Sequence, residues 1–316
     1  MKKLPYIIFA LIFCIMPLTG CTDTSDSLFV IAQIKPWSNA DLTHEKCEYD
    51  YEKLDKNGNA VATGKYVVEI SVDKEVTTIT STLKIITEQG WTDQVISTVK
   101  CDSTTLSPHS VNKKINNFAY KDEAKTEVID RGYDMFLDYK EKTASFSFHD
   151  TDAERKDDIA LPDLSAETFD SDQYYQIVRS AKNLDAKNNS GTFSLLSGAD
   201  SFIGGAVITF PVKYIVGEEK VVTCKKLGEN LDGEYGVSKS GSVLCRSVTV
   251  QINANQSGST TTLMFASASF GNEVNQTGTR TGGKNVLVSI SRPQYSVSSF
   301  TVEFTHKYTL CNYTAY

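Results

Sequence analysis

The amino-acid sequence predicts a mainly β fold of the α+β class, an antiparallel, curved sheet or half-barrel with one principal helix near residues 171–184. Three observations predict it. Apolar and polar residues alternate with a period of two, because successive side chains of a strand point to opposite faces of a sheet. β-branched and aromatic residues fill these segments. A single stretch has the 3.6-residue period of an amphipathic helix, with strand-rich sequence on both sides.

The first strands are predicted from alternation in the N-terminal half of the chain. The apolar positions of these strands are Tyr66, Val68, Ile70, Val72, Ile79, Leu83, Ile85, Val95, Val99, Cys101, Tyr133, Met135, Leu137, Ala144, Phe146 and Phe148. Before them, Lys56-Asn57-Gly58-Asn59 contains Asn-Gly, whose two residues tolerate positive φ. This tetrapeptide predicts a hairpin turn.

The helix and the second set of strands follow in order. The helix is predicted because several apolar residues share one helical face; they are Tyr174, Ile177, Val178, Ala181 and Leu184. Asp170 with Gln173 is typical of a capping box at the helix start. Strands then resume in residues 206–216, 220–225, 243–252, 260–269, 286–291 and 296–313. We therefore expect residues 45–316 to form one antiparallel β domain.

The N-terminus predicts export and a lipid anchor. Lys2 and Lys3 precede an uncharged apolar stretch of about 15 residues, which is shorter than the roughly 20 that a membrane-spanning helix needs. The stretch ends in Leu18-Thr19-Gly20-Cys21, which resembles the lipobox of bacterial lipoproteins. The resemblance implies that residues 1–20 are a signal peptide, that Cys21 is lipidated, and that residues 21–44 hold this cysteine and a tether. Ordinary secretory cleavage is the alternative.

The charge of the mature chain limits its partners. Removal of Lys2 and Lys3 with the signal peptide leaves 30 basic and 39 acidic side chains, a net charge of −9. This balance argues against nucleic acid or an anionic membrane surface as the main partner. The expected partners are membrane lipid, through the Cys21 anchor, and an apolar ligand or an envelope protein. The predicted location is outside the cytoplasm, held at the cell membrane.

The cysteines leave two alternatives open. Cys14 leaves with the signal peptide, and five thiols remain besides Cys21, namely Cys47, Cys101, Cys224, Cys245 and Cys311. Disulfides are allowed outside the cytoplasm. Cys224 and Cys245 are the nearest in sequence and are the candidates for a disulfide between neighbouring strands. Most of these thiols could equally be buried as small apolar side chains.

The order of features resembles an uncharacterised family of exported bacterial β proteins. The matching segments are residues 66–72, Val99-Lys100-Cys101-Asp102-Ser103-Thr104-Thr105-Leu106-Ser107-Pro108, the strand before Asp150, residues 169–184 with Tyr174-Tyr175-x-x-Val178-Arg179-Ser180, and residues 208–221 with Val216-Gly217-Glu218-Glu219. The resemblance implies the half-barrel architecture of periplasmic lipoprotein carriers. It covers about residues 60–252, and no catalytic residue comes with it.

No motif in the chain specifies a reaction. The segment from Gly278 to Asn285 nearly matches a phosphate-binding loop, but Asn285 stands where the hydroxyl that holds magnesium is required, so a hairpin loop is favoured. The histidines at positions 44, 109, 149 and 306 are far apart in sequence, and His44 with Cys47 lacks further ligands for zinc. We therefore predict no catalytic residue, no cofactor and no metal.

Aromatic residues supply the one specific hypothesis about a binding site. A groove between the curved sheet and the helix could be lined by Tyr66, Tyr133, Phe136, Phe146, Phe148, Tyr174 and Tyr175. Grooves of this kind are typical ligand sites, although the same residues could simply form the core. The sequence thus favours a non-catalytic binding or structural protein of the cell envelope, whose half-barrel either shelters an apolar ligand or presents a loop-rich rim to a partner. The alternative is an envelope hydrolase, acting on cell-wall or carbohydrate substrates, whose site is assembled from distant loops.

Overall fold

The computed structural model describes residues 42–149, 156–181, 183–196, 202–203, 206–207, 209–252, 260–268, 270, 273–275, 278–280, 283–295 and 301–316. The proposed signal peptide, Cys21 and most of the proposed tether therefore lie outside the described residues. The strands are β1 (Glu45–Asp55), β2 (Ala60–Val72), β3 (Val76–Ile86), β4 (Thr92–Asp102), β5 (Pro108–Asn116), β6 (Phe118–Tyr120), β7 (Val128–Asp130), β8 (Tyr133–Asp138), β9 (Thr143–Phe148), β10 (Lys156–Ala160), β11 (Thr168–Asp170), β12 (Ser190–Leu196), β13 (Phe202–Ile203), β14 (Ala206–Val207), β15 (Thr209–Thr223), β16 (Ser242–Ile252), β17 (Thr260–Ala266), β18 (Glu273–Asn275), β19 (Gly278–Arg280), β20 (Leu287–Tyr295) and β21 (Val302–Ala315). The helices are α1 (Tyr174–Arg179) and α2 (Lys225–Leu231), with 3-10 turns at Ser171–Gln173 and Glu234–Gly236.

The described strands form one large open sheet, and three small hairpins accompany it. The order in the sheet is β10-β9-β8-β5-β4-β3-β2-β1-β21-β20-β17-β16-β15-β12-β11. The described neighbours pair antiparallel except β11 and β12, which are parallel. The predicted fold class, mainly β and antiparallel, is confirmed. The first and last strands, β1 and β21, pair at the centre of the sheet.

The sheet is strongly curved, as contacts on its inner face between elements that are distant in the strand order show. β11, at one end of the order, contacts β5 near the other end, and the 3-10 turn at Ser171–Gln173 contacts β4. The chain between β10 and β12 thus passes across the inner face of the sheet and carries α1 with it. Most of α1 is buried, including Ile177 and Val178.

Local sequence signals determine the turn at 56–59 and the start of α1. The predicted hairpin is confirmed, with Gly58 at φ +85° and the Asp55 carboxylate accepting hydrogen bonds from the backbone N–H of Asn57 and Asn59, both at 2.8 Å. The capping box is also confirmed, since the Asp170 side chain accepts from the Asp172 N–H and the Gln173 side chain accepts from the Asp170 N–H. These contacts satisfy backbone donors that a helix start leaves free.

The helical elements differ from the prediction in two ways. α1 ends at Arg179 instead of extending to residue 184, since Ser180 leaves the helical backbone conformation at ψ 3°. Beyond it, the Asn183 backbone carbonyl accepts from Asn189 and its side chain accepts from the Tyr214 hydroxyl. A second helix, α2, was not predicted from the sequence. Only two of its side chains, Leu227 and Leu231, are large, apolar and buried, so its amphipathic pattern is too short to recognise.

The C-terminal strands also differ in their bounds. The two predicted strands at 206–216 and 220–225 form mainly one strand, β15, with a bulge between Val216 and Glu219. The predicted strand at 296–313 corresponds to β21, and residues 296–300 lie outside the described residues. In the part of the chain that is described, no helix has the length and apolar character needed to cross a bilayer.

Candidate functional site

The predicted groove residues occupy the inner face of the curved sheet, with one exception. Tyr66 on β2, Tyr133 on β8, and Phe146 and Phe148 on β9 all point inwards or pack on the core. Tyr174 and Tyr175 belong to α1, where Tyr174 is buried and Tyr175 is half-buried. The helix therefore lies within the curve of the sheet, and the groove between them stays a prediction.

Phe136 is the exception because it lies on the outer face of β8. Its neighbours Met135 and Leu137 are buried, so alternation along the strand turns Phe136 outwards, where it is 43% exposed. There it lines a shallow depression of about 430 Å³. The other lining residues are Ile96, Thr98, Lys100, Ser110, Asn112 and Lys114.

Six tyrosines form the largest aromatic group on the inner face; we call Tyr49, Tyr51, Tyr66, Tyr174, Tyr175 and Tyr308 the tyrosine cluster. Ring centroids are 5.6 Å apart for Tyr49 and Tyr66, 5.3 Å for Tyr66 and Tyr308, and 5.1 Å for Tyr51 and Tyr308. In α1, the rings of Tyr174 and Tyr175 are 4.0 Å apart. Tyr175 also lies close enough to Tyr66 and Tyr308 to interact with them electrostatically, and burial raises the pKa of Tyr66.

A smaller aromatic group lies towards the β9 end of the sheet. The ring of Tyr133 is 6.1 Å from Phe148 and 6.4 Å from Phe146. A part-buried ion pair lies between this group and the tyrosine cluster. In it, Lys113 Nζ is 2.8 Å from Asp172 Oδ1. The Ser97 hydroxyl donates to the other oxygen of Asp172 at 2.7 Å.

The sequence provided no functional signal for two residues of the site, Arg292 and His306. They face each other across β20 and β21. The Tyr51 hydroxyl lies 2.8 Å from His306 Nδ1, and Gln294 Oε1 lies 2.9 Å from His306 Nε2. Burial and the nearby charges of Arg292 and Lys53 lower the pKa of His306 to about 4, so the imidazole is neutral at physiological pH. A neutral ring that donates from Nε2 to Gln294 accepts at Nδ1 from Tyr51.

Arg292 is a cation beside the tyrosine cluster. Its side chain is exposed to solvent, and among the described residues it has no ion-pair or hydrogen-bond partner. Burial acts to lower the pKa of Arg292, but nearby tyrosines raise it above its ordinary value, namely Tyr175, Tyr308, Tyr174 and Tyr51. Arg292 is therefore a charged side chain that is open to solvent and lies within electrostatic reach of the tyrosine cluster.

Three polar groups on and just after α1 are buried without a hydrogen bond to any described residue. They are the Tyr174 hydroxyl, Gln176 Oε1 and the Ser180 hydroxyl. The Tyr174 hydroxyl lies near Tyr175 and Thr261, yet none of these contacts is a hydrogen bond of normal geometry. Buried polar atoms without partners are uncommon in native proteins and call for an explanation at each position.

A buried ion pair holds the C-terminal end of α1 against the centre of the sheet. The Arg179 guanidinium contacts both carboxylate oxygens of Glu45, the first residue of β1. The Tyr313 hydroxyl donates to Glu45 Oε2 at 3.0 Å, and Arg179 Nε donates to the Lys284 carbonyl at 2.8 Å. A Cβ at Gly283 would overlap both charged groups, so a larger residue here would force the Arg179 and Glu45 side chains to shift. The position of α1, and therefore of Tyr174 and Tyr175, depends on this contact.

The N-terminal end of α1 is held by a second buried carboxylate. Asp170 accepts from the Tyr139 hydroxyl at 2.6 Å and from the Asp172 N–H at 2.7 Å. Burial and the neighbouring charge of Asp172 raise the pKa of Asp170 to about 7. Asp170 contacts the α1 start and not the tyrosine cluster, so its role is to position the helix.

The described histidines and cysteines do not form a recognised catalytic or metal site. His149 Nδ1 lies 2.9 Å from Asp130 and His149 Nε2 lies 3.3 Å from Asp134, so both ring nitrogens face carboxylates and neither faces a hydroxyl nucleophile. In a Ser-His-Asp arrangement, one ring nitrogen faces the carboxylate and the other faces the serine hydroxyl. Within the described segments, no group of three His, Cys, Asp or Glu side chains could hold a metal ion.

The five cysteines from Cys47 onwards are free and buried in the described structure. The proposed Cys224–Cys245 disulfide is not formed, because the β15–β16 register places Cys245 opposite Lys220 and Thr223 opposite Ser242. Cys245 Sγ instead donates to the Val243 carbonyl at 3.5 Å.

Comparison with known proteins finds no matching family model and no matching curated protein. Four solved chains are similar, and two of them follow. The first is a beta-barrel-like protein of a domain of unknown function (DUF1849) from Brucella abortus, with TM-score 0.48, 11% identity, and coverage of 87% of this chain and 98% of that chain. The second is a Bacteroides fragilis protein with a YmcC-like fold, with TM-score 0.29, 9% identity, and coverage of 86% and 96%. Both TM-scores are too low for either likeness to bear on the function of this chain.

Proposed function

We propose that this protein is a lipoprotein of the bacterial cell envelope, anchored through Cys21, that binds an apolar ligand without catalysis on the inner face of its curved sheet. The observation that carries the proposal is the tyrosine cluster. It combines fully buried rings, such as Tyr49 and Tyr51, with rings that remain partly accessible, such as Tyr66 and Tyr175. Apolar and aromatic walls with a few polar groups are typical of ligand sites.

The partly accessible rings argue for a site over a filled core. A core aromatic is normally excluded from solvent, as Phe146 and Phe169 are. Tyr66, Tyr133, Phe148 and Tyr175 instead keep accessible surface while facing inwards. A ligand that covers this surface removes apolar area from water, which contributes about 25 cal/mol for each Å².

Binding is favoured over hydrolysis by the surroundings of His149. A hydrolase of the serine type needs an imidazole that can take a proton from a hydroxyl. The second nitrogen of His149 faces Asp134 at 3.3 Å instead. The inner face, in contrast, presents hydroxyl groups and rings suited to contact with a ligand.

The anchor is tested separately from the ligand. Producing cells are grown with an alkyne-bearing fatty acid, and the protein is recovered and examined for label. We expect label in the natural chain and none in Cys21→Ser. Label that persists in Cys21→Ser, or a natural chain without label, would overturn the proposed anchor.

The ligand site is tested with N-phenyl-1-naphthylamine, an uncharged aromatic probe whose fluorescence rises in apolar surroundings. The protein is purified from producing cells and held in phosphatidylcholine nanodiscs, with empty nanodiscs as the blank. We expect saturable binding that Tyr175→Ala weakens by roughly tenfold, which corresponds to about 1.4 kcal/mol. The matched control is Phe136→Ala, which removes an aromatic side chain from the outer face and should leave binding unchanged.

Two results would reject this site. Fluorescence no greater than that of empty nanodiscs would show that the inner face does not take an apolar ligand. Weaker binding in Phe136→Ala than in Tyr175→Ala would place the site in the outer depression instead.

A further inference from the structure

Arg292 differs from the other arginines whose side chains the structure describes. Arg179 pairs with Glu45, Arg246 Nη2 lies 2.9 Å from Glu219, and Arg131 donates to the Tyr120 carbonyl at 3.1 Å. Arg292 has no such partner within the described ranges, although it lies among tyrosines on the inner face.

The strand register explains why Arg292 faces the site. Along β20, Val288 and Ile290 are fully buried, and alternation places Arg292 on that same inner face. Ile290 pairs with Tyr308 on β21, and Arg292 pairs with His306 two residues further along the strand. Arg292 therefore lies directly beside the tyrosine cluster, with His306 between it and Lys53, which pairs with His306 from β1.

The groups around Arg292 favour an anion. Lys53 adds a second positive charge, and His306 is neutral. Asp172, a carboxylate whose charge reaches Tyr66 and Tyr175, is neutralised by Lys113 at 2.8 Å. The hydroxyl of Tyr174, near Arg292, is buried and lacks a partner among the residues described. A guanidinium with neighbouring hydroxyl donors is a common binding site for carboxylates and phosphates.

We propose that Arg292, together with the Tyr174 hydroxyl, binds the anionic end of an amphiphile whose apolar part lies on the tyrosine cluster. The proposal rests on the proposed function and adds the class of ligand, an acidic amphiphile. The bound anion supplies the partner that Arg292 lacks, and it accepts a hydrogen bond from the Tyr174 hydroxyl. The apolar part covers the accessible rings of Tyr66 and Tyr175.

The test compares two probes that share one aromatic skeleton. 8-Anilino-1-naphthalenesulfonate carries a sulfonate, and N-phenyl-1-naphthylamine does not. Both are titrated into the protein in phosphatidylcholine nanodiscs. We expect Arg292→Gln to weaken binding of the sulfonate probe by roughly ten- to hundredfold, the usual effect of losing a charge-assisted hydrogen bond. Binding of the uncharged probe should change by less than about twofold, which also shows that the variant is folded.

Two further variants separate charge from packing. Arg246→Gln removes an arginine that is paired on the same sheet, and it should leave both probes unaffected. Tyr174→Phe removes only the hydroxyl. It should weaken binding of the sulfonate probe and leave binding of the uncharged probe unchanged. If Arg292→Gln affects the sulfonate probe no more than Arg246→Gln does, or weakens both probes equally, the proposal is overturned.

Competition distinguishes an acidic amphiphile from a free anion. Decanoate should displace the sulfonate probe, whereas inorganic phosphate at the same concentration should not. If phosphate displaces the sulfonate probe and decanoate does not, the proposal that the ligand is an amphiphile is overturned. Binding of the uncharged probe with no effect of Arg292→Gln would reject the anion site and leave the apolar site standing. Arg292-dependent binding of the sulfonate probe, without binding of the uncharged one, would reject the apolar site instead.

Discussion

Replacing Glu45 by Gln tests how α1 is held inside the sheet. The Glu45 side chain is fully buried, and its two oxygens accept from the Arg179 guanidinium, the Tyr313 hydroxyl and the Thr43 hydroxyl. Gln keeps the size of the side chain but removes its charge. Its NH₂ group is a hydrogen-bond donor that faces another donor, the guanidinium. Arg179 then remains as a buried cation without a counter-charge.

The magnitude follows from burial and hydrogen bonding. Removing one partner of a buried ion pair costs about 3–5 kcal/mol, mostly because the remaining charge is left uncompensated. With a urea dependence of about 3 kcal/mol per molar, as expected for a chain of this size, the unfolding midpoint should fall by about 1 M or more. Replacing both Glu45 and Arg179 by Met should recover most of this loss, since no charge then remains buried.

The assay is urea unfolding followed by circular dichroism. The control is Glu218→Gln, which removes a carboxylate from an exposed ion pair with Lys187 and should leave the midpoint unchanged. The reasoning is refuted if Glu45→Gln shifts the midpoint no more than Glu218→Gln does. It is also refuted if the double Met variant is less stable than Glu45→Gln alone.

Two further predictions concern the same helix. Burial and the neighbouring charge of Asp172 raise the pKa of Asp170 from 3.8 to about 7, so between these pH values the folded state holds a proton that the unfolded state releases. Asp170 therefore contributes stability that is fully present below about pH 4 and is lost as the pH rises to about 7. The stability of the natural chain relative to Asp170→Asn should fall over this range and level off at higher pH, and a constant difference would contradict this. Gly283→Ala should lower the urea midpoint by displacing Arg179 from Glu45. The same change should lower the midpoint much less when it is added to Glu45→Gln, because both changes break one contact. Additive losses of stability would show that Gly283 acts elsewhere.

Several features were readable from the sequence because they depend on neighbours along the chain. Alternation of apolar residues predicted the strands, and Gly58 predicted its hairpin. Asp170 and Gln173 predicted the start of the helix. Each of these signals acts within a few residues, where the backbone geometry of a strand or turn limits the choice of side chain. The fold class follows from their sum.

The composition of the candidate site depended on strand pairing across long sequence distances. Tyr51 and His306 are 255 residues apart, yet β1 and β21 pair at the centre of the sheet and bring them to 2.8 Å. Arg292 reaches the same place through β20, so no local pattern could mark it as part of a site. Phe136 was misplaced for a different reason, because the alternation of Tyr133, Met135 and Leu137 already assigned it to the opposite face of its strand.

The sequence by itself therefore determined the fold class, many of the strands and where the main helix begins, since these depend on local backbone preferences and on alternation; β1, β5 and β12 were not among the predicted strands. Only the tertiary structure decided that β1 and β21 pair at the sheet centre, that α1 lies inside the curve, and that Arg292 lies beside the tyrosine cluster without a partner among the described residues. The physical reason is that burial, charge pairing and the sharing of one face are set by contacts between distant strands.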